Sequence, residues 1–503
     1  VNSGTGNDMQ KTIENLSTGI AGLDHILGGG IVRDRLYLVE GVPGSGKTTL
    51  ALQFLLEGAA RGEATLYVTL SESSEELTAV ATSHGWSLDG INIRELSPSA
   101  EALGPDDQYT MFHPSEVELG ETTRNILNEF ERIQPARIVF DSLSELRLLS
   151  GNALRYRRQI LALKQFFSGK NCTVLLLDDM TSTDHDLQVQ SIAHGVISLE
   201  QMNPDYGSER RRLRVVKYRG VKFRGGYHDY IIQQGGLRIF PRLIASESRT
   251  RRPKERYTSG LTELDKLLGG GIERGTSTLI AGAAGTGKSS VAVQFVHAAA
   301  RRGQKAMMVI FDEAENTLMD RSAELNIALQ PFLDSGAVQV KQVDPAELSP
   351  GELIDSIRAA VELAGVSIIV IDSLNGYLNA MPGERHLLIQ LHELLTYLGQ
   401  RSVATILISA HHGLIGSNMS APVDVSYLAD AVVLMRYFEA EGEVRQAISI
   451  VKKRGGSHER SIREFKMADG QIQVGTPLRN FRGILTGVPV FQGEAEGMIG
   501  RNP

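Results

Sequence analysis

The sequence predicts an α/β chain of two tandem domains, each a mostly parallel sheet flanked by helices, with antiparallel strands at one edge. Three observations predict it. A phosphate-cradling loop of the form G-x-x-x-x-G-K-[ST] occurs at Gly41-Val42-Pro43-Gly44-Ser45-Gly46-Lys47-Thr48 and again at Gly282-Ala283-Ala284-Gly285-Thr286-Gly287-Lys288-Ser289. A leader recurs before each loop, as STGIAGLDHILGGGI at 17–31 and TSGLTELDKLLGGGI at 258–272. Gly19 and Gly260, Asp24 and Asp265, Gly28 and Gly269, and Gly41 and Gly282 all share one offset of 241 positions, the mark of tandem duplication. Lastly, apolar runs of strand length alternate with helical patterns, which gives a parallel sheet covered on both faces.

In the first half, Leu36 to Glu40 reads as a buried strand and TTLALQFLLE, from Thr48, as a helix whose N-terminus faces the bound anion. The strand Ala64 to Leu70 ends at Ser71-Glu72, and a helix starts near Glu75. A helix over 122–134 leads to the strand Ala136 to Phe140, closed by Asp141-Ser142. Helix 154–168 and strand Thr173 to Leu177 follow, and shorter, Gly-punctuated antiparallel strands are expected from Val196 on. The second half repeats this: Thr278 to Ile280, the helix SSVAVQFVHAA, Ala306 to Phe311 before Asp312-Glu313, and Ser367 to Ile371 before Asp372-Ser373. Ala404 to Ser409 is the next strand, with an antiparallel section from Ala431. The expected boundaries are a domain over 1–245, a polar, basic linker over 246–256, a domain over 257–488 and a short mobile tail over 489–503.

Composition narrows the function classes. With 503 residues, 42% hydrophobic and 22% charged, the chain suits two or three globular domains rather than a disordered or fibrous protein. No apolar run reaches the roughly 18–20 residues needed to cross a bilayer. The first residues lack a basic-then-apolar signal pattern, and a single cysteine, Cys172, allows no disulfide framework within the chain. A cytoplasmic location is therefore expected. The net charge of −7 does not favour polyanionic partners in general.

The candidate chemistry follows from the motifs. Gly44, Ser45, Gly46, Lys47, Thr48 and Thr49, and their counterparts Gly285, Thr286, Gly287, Lys288, Ser289 and Ser290, are candidates to hold ATP. Backbone N–H groups cradle the phosphates, the Lys reaches the β- and γ-phosphates, and the hydroxyl of Thr48 or Ser289 ligates Mg²⁺. Asp141 and Asp372 end apolar strands on the phosphate-loop side and are candidate metal residues. Glu72 and Glu313, 241 positions apart, are candidate bases for the attacking oxygen, with Asp312 beside the second. Only Ser71 precedes Glu72, so the first half is expected to hold the thinner set of carboxylates. Lys217-Tyr218-Arg219 and Lys452-Lys453-Arg454 form a matched basic pair. A solvated face, a nucleic-acid footprint and cations crossing to a neighbour's γ-phosphate all remain open for them. Trp86 reads as packing over a helix end, and His411-His412 lacks a spaced third ligand.

Together these features resemble the KaiC family, the tandem RecA-like ATPases of bacterial circadian clocks. The resemblance is carried by the doubled leader, GVPGSGKTTL, GAAGTGKSS, the Lys-x-Arg-Gly pairs, Arg463-Glu464-Phe465 and LRNFRGILTGVP at 478–489. It implies two tandem RecA-like domains in a double-ringed homohexamer with ATP between neighbouring subunits. Lys217, Tyr218 and Arg219, and Lys452, Lys453 and Arg454 with His458 close by, would then face the adjacent nucleotide. The N-terminal ring would be mainly an ATPase, and the C-terminal ring an autokinase. The family's acceptor pair precedes a D-x-x-x-x-x-x-Y-x-E pattern, here Asp430, Tyr437 and Glu439, which places Ser426 as phosphoacceptor and Tyr427 where the family has Thr. Ser417 and Ser420 share that loop. The acidic pairs Ser71-Glu72 and Asp312-Glu313 stand where the family has Glu-Glu.

A KaiB-like protein or a histidine-kinase output partner is the partner class implied, with no membrane. The short stretch after Pro489 does not suggest docking of a KaiA-like activator. A nucleic-acid motor on the same fold would need cationic loops after the strands that follow the metal Asp residues. Those loops, DDMTSTDHDLQVQ at 178–190 and HHGLIGSNMSAPVDV at 411–425, contain no Lys or Arg, so nucleic acid is not expected. A nucleotide-dependent scaffold with little turnover is the remaining alternative.

Overall fold

The computed structural model describes residues 14–96, 114–180, 187–203, 207–245, 255–379, 386–411, 425–485 and 489–492. Contacts divide the chain into two units, Val1–Arg242 and Leu243–Pro503. In the first, β1 (Leu36–Gly41), β2 (Thr65–Thr69), β3 (Ile91–Glu95), β4 (Arg137–Asp141), β5 (Thr173–Asp178), β6 (Gly195–Met202), β7 (Arg210–Tyr218), β8 (His228–Gln233) and β9 (Gly236–Phe240) form one sheet. Its order is β3-β2-β4-β5-β1-β6-β7-β8-β9.

The second unit repeats that order strand for strand. It consists of β10 (Ser277–Gly282), β11 (Lys305–Ile310), β12 (Val338–Gln342), β13 (Val366–Asp372), β14 (Ala404–Ala410), β15 (Ala431–Ala440), β16 (Glu443–Lys453), β17 (Arg463–Ala468) and β18 (Gln471–Pro477). Their order is β12-β11-β13-β14-β10-β15-β16-β17-β18.

Both sheets are buried on two faces, because alternate side chains of a strand point opposite ways. Tyr37 and Val39 of β1 join one apolar cluster, while Leu36 and Leu38 join another. In β10, Ile280 enters one cluster and Leu279 and Ala281 the other. The fold class expected from sequence is therefore present in both halves. One detail differs. The antiparallel section does not begin at Val196 or Ala431: β6 and β15 still run parallel to β1 and β10, and only their outer neighbours are antiparallel. The chain reaches β6 by a crossover from β5, so it keeps its direction, and hairpin turns then reverse it.

Near the expected linker, Ala245 packs among Leu279, Val309 and other core residues of the second unit. Val490–Phe491, at the start of the expected tail, pairs antiparallel with Phe481–Arg482. No helix of the described residues is long and apolar enough to cross a membrane.

Candidate functional site

Each phosphate loop leaves the C-terminal end of the central strand and turns straight into a helix, Lys47–Ala60 or Lys288–Ala300. The residue before each helix, Gly46 or Gly287, has φ of 90° or 92°. A Cβ on Gly46 would lie 2.7 Å from Ile232 Cδ1, and one on Gly287 would lie 2.6 Å from the Phe465 ring. Glycine is therefore required twice over, by backbone conformation and by space. Neither helix has an acidic residue in its first turn, so the free N–H groups present positive potential to an anion. Ser45 and Thr286 are fully buried beneath the loops.

Strand register brings the acidic candidates to the same end. Asp141 closes β4 level with Thr69, and Asp372 closes β13 level with Ile310. The Thr48 hydroxyl donates to Asp141 Oδ2 at 3.2 Å, and Ser289 lies beside Asp372, where its hydroxyl favours the ionised carboxylate. Burial pushes both carboxyls above the usual carboxylate range. Asp372 Oδ2 has no hydrogen-bond partner among the described residues. A hard-oxygen pair of hydroxyl and carboxylate beside an anion loop, one oxygen unsatisfied, fits a Mg²⁺ ion. In the first half Tyr67 also donates its hydroxyl to Asp141 Oδ2, whereas the matching β11 residue is Met308.

The two candidate bases differ more than their sequence context suggests. Glu72 is pushed up to about 7 by burial, then by the charges of Asp141, Glu76 and Asp179, with Lys47 opposing. Its Oε2 has no hydrogen-bond partner among the described residues. Glu313, in contrast, accepts from Arg321 Nε at 3.1 Å and Nη2 at 2.7 Å, and Arg321 Nη1 donates to Ser290 at 2.9 Å. The matching first-half residue is Val80. Asp312 does not stand free beside Glu313: the Ser373 hydroxyl donates to its Oδ2. A carboxylate so engaged is anchored to the loop after β13, not directed at an attacking oxygen, which departs from its expected role.

The expectation of a thinner acidic set in the first half does not hold. Asp179, just past β5, pairs with Lys47 Nζ at 2.9 Å. Buried Glu40 and Asp178 lie side by side on β1 and β5, and Arg147 pairs with Asp178. The corresponding second-half residues are Ala281, Ser409 and Ala410. Asp178 and Asp179 belong to no motif of their own; the signal that marks them is their place at the end of the strand next to the phosphate-loop strand.

The basic pairs sit at the other end of each sheet. Tyr218 pairs with Gly195, which is level with Tyr37, four residues before Gly41. Lys452 pairs with Val432, which is level with Leu279, three residues before Gly282. At about 3.3 Å per residue, each cluster starts roughly 10–13 Å behind its own phosphate loop. Lys217 Nζ donates to the Gln190 and Ser191 carbonyls at 2.7 and 3.0 Å, and Arg219 Nη2 to Ser191 at 2.8 Å. Lys452 Nζ donates to the Ser426 carbonyl and Arg454 Nη2 to that of Tyr427, both at 2.7 Å.

Tyr218 and Lys453 depart from the nucleotide-facing role expected for them, because strand alternation turns them inward. The Tyr218 hydroxyl donates to the Gly30 carbonyl, and buried Lys453 donates to the Leu268 carbonyl. His458 lies half-buried between β16 and β17. Thr49 is buried, with His84 at 3.4 Å from its hydroxyl. The Arg210–Arg214 cluster is partly neutralised, Arg212 and Arg214 by Glu200 and Arg211 by Glu209. Trp86 packs beside His84, with 4.8 Å between ring centres. His412, Ser417, Ser420 and most of the two loops weighed for nucleic acid lie outside the described residues.

Known proteins are similar to this chain over nearly its whole length. The family model described as ATPase, KaiC, matches residues 16–244 and 257–479. The circadian clock protein KaiC3 of Synechocystis is 26% identical over 491 residues, covering 96% of each chain. The circadian clock oscillator protein KaiC of Acaryochloris marina is 27% identical over 498 residues, covering 96% of this chain and 93% of its own. That of Parathermosynechococcus lividus is 25% identical over 487 residues, covering 95% and 88%.

Proposed function

The chain belongs to the KaiC ATPase family, and from that premise we propose that it is a two-site ATPase and serine autokinase acting between subunits. The first half hydrolyses ATP, and the second half transfers the γ-phosphoryl group to Ser426 of a neighbouring copy. The observation that carries this reading is the register: Lys452, Arg454 and Ser426 cluster at the end of the sheet opposite the phosphate loop of their own unit. Groups so placed lie away from their own unit's phosphate loop, which supports action on a neighbouring copy's nucleotide, with a closed homo-oligomer, a hexameric ring in this reading, as the working form.

The residues divide the work as follows. Loop N–H groups, Lys47 and Lys288 hold the phosphates. Thr48 with Asp141, and Ser289 with Asp372, would hold Mg²⁺, which would supply neutralisation of phosphate charge when bound. In the first half Glu72 takes the proton from water as its oxygen bonds the γ-phosphorus and the bond to the bridging oxygen of ADP breaks. In the second half Glu313 takes the proton of the Ser426 hydroxyl in the same displacement, once Arg321 releases it. Lys217 and Arg219, or Lys452 and Arg454, of the adjacent copy stabilise the charge that develops on the transferring group. As a hexameric switch of this kind the protein would report its nucleotide and phosphorylation state to a KaiB-like or histidine-kinase partner.

Phosphate release by the full chain with MgATP tests the reading. Glu72→Gln should remove most turnover while nucleotide still binds; unchanged release would show that Glu72 is not the base.

A further inference from the structure

Lys47 has three protons and three acceptors: the Gly41 carbonyl at 2.9 Å, the Val42 carbonyl at 3.0 Å and Asp179 Oδ1 at 2.9 Å. The ammonium is nearly buried and Asp179 about one-quarter exposed, so the pair is only partly screened. Two of the acceptors are backbone atoms fixed by the loop. The third is a side chain able to turn away. A phosphate-loop lysine reaches the β- and γ-phosphates of a bound nucleotide. In this site one ammonium proton is already held by a carboxylate, so Asp179 competes with a γ-phosphate for Lys47. Among the described residues the second half has no such competitor, because Ala410 occupies the matching place beside Gly282 and Lys288 donates to the Ala283 carbonyl.

We infer that Asp179 sets the nucleotide preference of the Gly41 site, holding Lys47 when the γ-phosphate is absent and disfavouring ATP relative to ADP. With ADP bound, Lys47 reaches the β-phosphate and keeps Asp179 as its second anionic partner. With ATP bound, the carboxylate loses the lysine and faces a like-charged γ-phosphate. The site therefore retains its product and fills with ATP less readily than the Gly282 site. This rests on the reading of the Gly41 loop as an ATP site.

The test uses the full chain with Lys288→Ala, so that the Gly41 site dominates binding, and compares MgADP with the Mg²⁺ complex of a non-hydrolysable ATP analogue. Asp179→Asn should tighten the ATP analogue on the order of tenfold while changing ADP far less, the scale of one partly screened charge contact. Asp179→Glu, which keeps the charge, should retain the parent's ratio of affinities. Equal changes for both nucleotides, or none, would overturn the inference and leave the ATP site standing. Failure of the Lys288→Ala parent to bind either nucleotide would overturn the ATP-site reading together with the inference.

Discussion

Arg321 holds both carboxylate oxygens of Glu313, through Nε and Nη2, while reaching Ser290 with its third nitrogen. Glu72, the matching carboxylate of the first half, has no such partner among the described residues, and Val80 stands in the arginine's place. In the proposed reading, where Glu313 is the base of the second site, Arg321 would mask it until it moves, whereas Glu72 carries no such mask among the described residues. Arg321→Ala should raise phosphoryl transfer or hydrolysis at the second site several-fold, measured with Glu72→Gln in the background. A fall in rate would mean that Arg321 orients Glu313 for catalysis instead.

If Glu72 is the base, its carboxyl, pushed up to about 7, should make first-half hydrolysis pH-dependent near neutrality. A base acts only when deprotonated, so kcat/KM for this site should fall as pH drops through about 7. The sign for stability is opposite. The folded chain binds this proton more tightly than the unfolded chain, so stability contributed at low pH is lost as pH rises from 4.5 towards 7. Glu72→Gln should flatten that loss in denaturant titrations at successive pH values.

If catalysis crosses subunits, two inactive variants should complement each other. Chains with Lys288→Ala lack a competent second nucleotide site but keep Lys452 and Ser426. Chains with Lys452→Ala and Ser426→Ala have the reverse defect. Mixed assemblies should recover phosphoserine on the Lys288→Ala chains alone, read by mass spectrometry of differently tagged subunits. Phosphate remaining absent from the mixture would argue for transfer within one chain.

Arg137 supplies a stability test away from the chemistry. It is fully buried, pairs with Glu63 at 2.5 Å, donates to the Ser17 and Phe54 carbonyls and lies over the Phe54 ring. Arg137→Ala removes the bonds to Glu63 and to both carbonyls from a buried site and should cost about 3–5 kcal/mol in chemical denaturation. Glu63 also has Arg33 at 3.1 Å, so the value should fall nearer the lower end.

What could be read from the sequence was what local chemistry dictates. Gly46 and Lys47 declare a phosphate loop because no other residues take that backbone and charge together, and the offset to Gly287 and Lys288 declares its duplicate. Asp141 and Asp372 were legible because each ends an apolar run. The rest depends on tertiary register. Asp179 meets Lys47 because β5 lies beside β1, and Arg321 meets Glu313 because a helix returns over the loop before it; no motif encodes either meeting. Tyr218 and Lys453 were misplaced although the clue was present: in a strand Lys217 and Arg219 share one face, so the residue between them faces the core.

Incubating the purified full chain with Mg²⁺ and γ-labelled ATP and mapping the label residue by residue tests the central claim most directly. The account predicts label on Ser426, lost with Glu313→Gln and kept with Glu72→Gln, alongside free phosphate that Glu72→Gln largely removes. Free phosphate with no labelled residue, or label that survives Glu313→Gln, would contradict it.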